Sequence, residues 1–227
     1  MVVHSMDIPR RQSPWRFLLA VIAVAVVWYL FVRPGADGLD AEAKAALLEL
    51  AREQLVATAS GDADLIDVAE SDLAPRLLLP GSAFVSLSRD GELRGCMIDA
   101  FEEHEPLYQN ILRNTDLAAS ADERFPPVSP EEVGELRISI SVVTPPEPLA
   151  FDDPEDLLSR LDPGLDGVIL TVNGVMATYL PDVWERFPDP EELLDHLCEK
   201  AGLAPDRWRE QPYPTIETYR VTRFEEA

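Results

Sequence analysis

Positive charge, cysteine and histidine are all scarce in this 227-residue chain, and each shortage narrows what it can do. Nineteen Lys and Arg stand against 42 Asp and Glu, a formal net charge of −23, so no general excess of cation is available to neutralise phosphates. A nucleic acid is disfavoured as a principal partner. Two cysteines and three histidines (His4, His104, His196) cannot build a disulfide-rich scaffold or a zinc site of recognisable Cys/His spacing. No metal or cofactor is therefore expected. Lysine is nearly absent, with only Lys44 and Lys200, a pattern attributable to a GC-rich genome or a salty habitat. Also missing are a Gly-rich phosphate loop, H-E-x-x-H, C-x-x-C, G-x-S-x-G, internal repeats and low-complexity tracts, which moves the familiar enzyme classes down the order.

What remains is a globular composition, 46% hydrophobic and 27% charged, with one long apolar run. Residues 1–16 are basic, and Phe17 to Val32 reads FLLAVIAVAVVWYLFV, 16 uncharged residues bracketed by Arg16 and Arg33 with Trp15, Trp28 and Tyr29 at its ends. At about 1.5 Å per residue the run covers roughly 24 Å, enough for one span if the flanking arginines snorkel. We read 17–33 as an uncleaved signal anchor; a cleaved signal peptide, for which RPGADG offers no good A-x-A site, and a buried core helix are the alternatives. Arg10, Arg11 and Arg16 favour a cytoplasmic N-terminus and a domain outside the cytoplasm. Arg33 and Lys44 leave a cytoplasm-facing domain as the alternative.

Beyond a linker at 34–40, residues 41–226 form one domain. A helix from about 40 to 61 is expected from the face Leu47, Leu48, Ala51 and Leu55, with Asp40 as its N-cap and Gly61 past its end. Ala83 to Leu87 and Leu93 to Ile98 flank an Asp90-Gly91 hairpin turn, and Pro106 opens a second helix. Ile138, Ile140 and Val142 alternate as in a half-buried strand. Asn173-Gly174 marks another hairpin, Pro190 to Ala201 a further helix, and Thr215 to Phe224 a final strand. This order predicts an α+β fold, a largely antiparallel sheet with hairpins and packed helices, preceded by one transmembrane helix.

Chemistry has few places to sit. Strand alternation puts Arg94 and Cys96 on one sheet face, where the guanidinium favours thiolate and hence a nucleophilic or redox Cys96; the other reading is a buried small hydrophobe, or a disulfide with Cys198. Glu102, Glu103, His104 and Glu105 precede the Pro106 helix, either as an acid/base or metal-ligating cluster or as carboxylates favourable to the helix dipole. Asp122 and Arg124 position an anion or pair with each other. Thr178, Trp184 and Glu185 line a pocket or, for Trp184, pack the core. His196 and Cys198, two apart on one helix, diverge too far to share a metal.

Seven stretches together resemble one family: LLELAREQL (47–55), FVSLSRDGELRGC (84–96), EPLYQNILRN (105–114), DERFPPVSPEEV (122–133), ISISVVTPPEPL (138–149), DGVILTVNGVMATYLPDVWE (166–185) and LCEKAGLAPDRW (197–208). In order and spacing they are similar to the AMMECR family, known in prokaryotes as protein A of the AmmeMemoRadiSam system. The resemblance implies an α+β fold and association with a Memo-like protein and a radical S-adenosylmethionine enzyme, but no defined reaction. Of the family hallmark Leu-Arg-Gly-Cys-Ile-Gly this chain has Leu93-Arg94-Gly95-Cys96-Met97-Ile98, so Ile98 replaces a glycine and is expected to strain a positive φ or to block a close approach. The leading expectation is a membrane-anchored binding or accessory module with Arg94, Gly95 and Cys96 lining its groove. One rival is an enzyme using Cys96 as nucleophile, Arg94 as charge stabiliser and His104 as acid/base. Another is an interaction domain that has lost its ancestral activity.

Overall fold

The computed structural model describes residues 38–62, 64–101 and 105–227. The apolar run at 17–32, and His104 with Glu102 and Glu103, lie outside the described residues. Among those described, no helix is long and apolar enough to cross a membrane.

Among the described residues four helices, α1 (Ala41–Ala59), α2 (Leu107–Ser120), α3 (Pro154–Arg160) and α4 (Pro190–Lys200), accompany eight strands: β1 (Ser82–Arg89), β2 (Glu92–Met97), β3 (Arg137–Val143), β4 (Glu147–Pro148), β5 (Gly167–Val172), β6 (Val175–Tyr179), β7 (Thr215–Tyr219) and β8 (Val221–Glu225). Every pairing is antiparallel, as an α+β chain of hairpins predicts. The single expected sheet is instead two, ordered β2-β1-β3-β8 and β4-β7-β5-β6.

The first sheet is built against α1 and α2. Asp40 caps α1 by accepting the Ala43 N–H at 2.8 Å, and Leu47, Ala51 and Leu55 repeat at helical spacing on its fully buried face. Ala83, Val85 and Leu87 of β1 and Ile138, Ile140 and Val142 of β3 are buried in the same core. Between them, Ser86, Ser88, Ser139 and Ser141 line a cavity on the opposite face, so the two-residue period sorts apolar from polar. The second sheet packs on α3 and α4 through Leu157, Leu193, Leu194, Leu197 and Cys198, with Trp184 and Trp208 in the same cluster. Both hairpins turn on two consecutive positive-φ residues, Asp90-Gly91 (54° and 83°) and Asn173-Gly174 (52° and 83°), which matches the strand twist.

The expected last strand breaks at Arg220 into β7 and β8, which belong to different sheets. Its backbone explains the break: the Arg220 N–H donates to Thr144 Oγ1 at 2.9 Å and its carbonyl accepts the Thr144 N–H at 2.9 Å, outside either ladder. Helix α3 has only seven residues, too few for a helical period to stand out, although Asp153 caps it and Pro154 opens it.

Where the sheets meet, Val143, Ile169 and Tyr219 are buried together, with Phe84, Ile98, Phe101, Leu180 and Val221 packed on them. The Tyr219 hydroxyl lies 3.0 Å from Thr178 Oγ1 and 3.1 Å from the Tyr179 carbonyl, and burial holds its phenol far above the ordinary range. Its ring covers Gly167 across the β5–β7 ladder, where an added Cβ would come within 2.3 Å of ring carbon. Gly167→Ala is therefore expected to destabilise the domain by about 1–3 kcal/mol, read as a lower urea midpoint. An unchanged midpoint would mean the ring has room to shift.

Candidate functional site

Cys96 stands near the end of β2, opposite Ser86, whose hydroxyl donates to its Sγ at 3.1 Å. Both backbone groups of Cys96 are held. Its N–H donates to Asp122 Oδ2 at 2.8 Å, and its carbonyl accepts from Arg124 Nη2 at 3.1 Å. Asp122 and Arg124 are joined in turn by Nε to Oδ1 at 2.8 Å and Nη2 to Oδ2 at 2.7 Å. The Arg124 hydrogen bonds come first, and the Cys96 N–H adds to them, in lowering the buried Asp122 carboxyl to about 2. Asp122 and Arg124 thus pair with each other, as one of the two sequence readings had it, and in doing so they fix the loop after α2 onto the cysteine.

Arg94 does not share the face of Cys96. The β1–β2 register shifts between Leu87 and Ser88: Gly95 opposes Leu87 and Leu93 opposes Ser88, leaving Arg94 as the extra residue of a bulge. Alternation fails there. The Arg94 guanidinium is buried on Glu132, with Nε and Nη2 each donating to a carboxylate oxygen at 3.2 Å, and this contact is the main cause that lowers the Glu132 carboxyl. Arg94 Nη1 is buried with no hydrogen-bond partner among the described residues. Gly95 likewise faces the helices, where a Cβ would lie 2.2 Å from the Ala118 carbonyl oxygen, so glycine here lets β2 approach α2. Cys96, by contrast, opens onto cavity space.

It reaches two cavities. One, of about 620 Å³, covers the serine face of the first sheet and includes Ser86, Ser139, Arg137 and Arg223 in its lining. The other, of about 440 Å³, runs from Phe84 and Cys96 past Arg124 to Thr178, Tyr179, Arg186 and Lys200. Cys96, Leu180 and Asp182 border both. The Lys200 ammonium donates to the Thr178 carbonyl at 2.8 Å and lies 4.5 Å from the centre of the Tyr179 ring. Desolvation at that position, and secondarily the Arg124 guanidinium, pull it below the ordinary lysine range, while Cys96 acts the other way.

Thr178 therefore joins the groove, whereas Trp184 is buried with its indole N–H donated to the Asp166 carbonyl at 2.7 Å, and Glu185 is exposed outside both linings. Cys198 is fully buried, a free thiol pushed up by burial; Cys96 is also free, so the two form no disulfide. Among the described residues, no group of three or more His, Cys, Asp or Glu is placed to hold a metal. Ile98 causes no strain. Asp90 and Asn173 are the only non-glycine positions with positive φ among the described residues, and the Ile98 side chain fills the seam between the sheets. Sequence reasoning missed Arg186 and Lys200; the one available signal was that Lys200 is one of two lysines.

A two-sheet α+β domain with a groove at the end of its second strand is the class these features define. The AMMECR1 family model matches residues 48–224, and the chain belongs to that family. A protein of Methanothermobacter thermautotrophicus is 40% identical over 138 residues, 60% of this chain and 70% of its own length. Protein MK0488 of Methanopyrus kandleri is 36% identical over 163 residues, 70% of this chain and 78% of its own. The crystal structure of the uncharacterized protein PH0010 from Pyrococcus horikoshii has the same fold, with a TM-score of 0.75 and 30% identity, covering 83% of this chain and 93% of that one.

The low Asp122 carboxyl sets an acid limit. A carboxylate held at about 2, against an unfolded value near 3.8, contributes stability that is complete above about pH 4 and lost as pH falls toward 2. Asp122→Asn should cost about 2 kcal/mol at pH 7 and flatten urea-unfolding stability between pH 4 and 2. A variant with the wild-type slope in that window would remove Asp122 as its source. Gly95→Ala should lower the urea midpoint by the equivalent of about 1–3 kcal/mol, through the Ala118 carbonyl. A midpoint equal to wild type would show that α2 can retreat.

Proposed function

We propose that this AMMECR1 domain is a binding or accessory module, tethered to a membrane through residues 17–33 and presenting the Cys96 groove to partners of an AmmeMemoRadiSam-like system. Those partners are a Memo-like protein and a radical S-adenosylmethionine enzyme. One observation carries the reading: both backbone groups of Cys96 are fixed by Asp122 and Arg124 while its thiol faces open cavities, the arrangement of a rigid display surface. The thiol accepts a hydrogen bond from the Ser86 hydroxyl at 3.1 Å and also interacts with the Arg124 and Lys200 cations.

The full-length chain in nonionic detergent is expected to retain at least one of the two partner types from the same organism in a pull-down. Cys96→Trp, which fills the groove, is expected to retain neither while keeping its melting temperature. Retention by the tryptophan variant would move the interface elsewhere, and no retention by wild type would end the accessory reading. For topology, a membrane-impermeant maleimide should label Cys96 in intact cells, with buried Cys198 silent; labelling only after lysis would put the domain on the cytoplasmic side.

The enzymatic rival keeps one supporting observation, that the Cys96 thiol borders two cavities in a groove that also holds Arg124 and Lys200. In that reading Cys96 is a nucleophile, and Lys200 rather than Arg94 is the nearby unpaired cation. Iodoacetamide alkylation of Cys96 at neutral pH faster than that of a free cysteine would favour it. Alkylation no faster would end it.

A further inference from the structure

We propose that the smaller cavity beside Cys96 binds a small organic anion, its carboxylate or phosphate seated on Lys200, Arg186 and Arg124 and its apolar body against Phe84, Leu180 and Val183. The proposal rests on reading the Cys96 groove as the functional one, and names the class of ligand it takes.

Charge is the first argument. Of the 19 basic and 42 acidic residues, four and one respectively precede residue 34, so acids outnumber bases by more than two to one in the rest. The cavity lining inverts that ratio, with three cations against Asp182 alone. Asp182 is itself drawn toward Arg223, 3.5 Å away.

Pairing is the second. Arg52, Arg89, Arg94, Arg113, Arg160, Arg209 and Arg220 each have a carboxylate within ion-pair distance. Arg124 has Asp122. Among the described residues Lys200 and Arg186 have none, and neither do Lys44, over the Phe224 ring, and Arg207, on the Glu210 and Pro212 carbonyls; Lys200 lies over Tyr179 at 4.5 Å and Arg186 over Phe187 at 5.0 Å. What sets Lys200 and Arg186 apart is that both border one cavity, so a single anion from outside can meet the two together.

Like-charge proximity is the third. Lys200 is near enough to Arg124 for the guanidinium to disfavour its protonation, with Cys96 acting the other way. An anion between the two cations relieves that repulsion. The mixed lining, with Phe84, Leu180 and Val183 beside the charged groups, suits a molecule with an apolar part better than a bare inorganic ion.

Having only two lysines makes the test direct. The full-length chain, labelled with ¹³Cε-lysine in nonionic detergent, gives two resonances, and Lys44→Arg assigns the Lys200 signal. Phenylacetate and phenylphosphate are titrated separately, with acetate and inorganic phosphate as comparators. The expected result is a saturable shift of the Lys200 resonance and a rise in its titration midpoint with at least one aromatic anion, tighter than with its comparator. Whichever aromatic anion binds more tightly identifies the head group. Arg186→Ala, with its melting temperature unchanged, should weaken that binding about tenfold. No saturable Lys200 shift with either aromatic anion, or equal shifts of Lys44 and Lys200, would overturn the proposal. The partner pull-down reads separately: partners retained without an anion-dependent shift sinks this inference alone, and a shift without partners sinks only the accessory reading.

Discussion

Asp122 places one carboxylate, low in pKa and nearly buried, at the junction of β2, the α2 exit and the groove. One of its oxygens takes the Cys96 N–H and both take the Arg124 guanidinium, so a single charge orders a strand end, a loop and a cation. Burying a carboxylate is costly unless its lone pairs are met, and here they are met by the groups the groove needs in place. Arg124 then returns a hydrogen bond to the Cys96 carbonyl, which closes the loop of contacts. The thiol of Cys96 is left as the side of that residue turned outward.

A second ion pair, buried Arg94 with half-buried Glu132, carries the other half of the Arg-Gly-Cys triplet away from the groove. Glu132 also accepts the Ser129 N–H at 3.0 Å, so the chain after Phe125 is tied down by an arginine emerging from a bulge. Gly95 completes the inward set by admitting the Ala118 carbonyl. Three adjacent residues thus divide their work: two join sheet to helix and loop, and one faces solvent. A motif read as one functional unit is mechanically two.

Much of the architecture was legible in local chemistry. Asp40, Pro106, Pro190 and the Asp90-Gly91 and Asn173-Gly174 turns mark element ends through caps and positive φ, which depend on neighbours in sequence alone. The break at Arg220 was not legible, because it depends on Thr144, far away along the chain. The same holds for the site. Cys96, Asp122, Arg124 and Thr178 were identified, but the shared face of Arg94 and Cys96 failed on a bulge that no spacing announces. Lys200 and Arg186 stand on a helix and a turn of the second sheet's layer, and only the assembled fold brings them to the cysteine of the first.

Arg220 alone separates β7 from β8, and so the last strand of one sheet becomes the last strand of the other within a single residue's reach. The groove's walls come from both sheets, Phe84 and Cys96 on one side, Thr178 and Tyr179 on the other, and Tyr219 wedges the joint next to that link. That short joint is packed by the Phe84, Phe101 and Tyr219 rings, whose successive centroids lie 5.7 and 5.1 Å apart. The spacing of the two walls is thereby set at that joint.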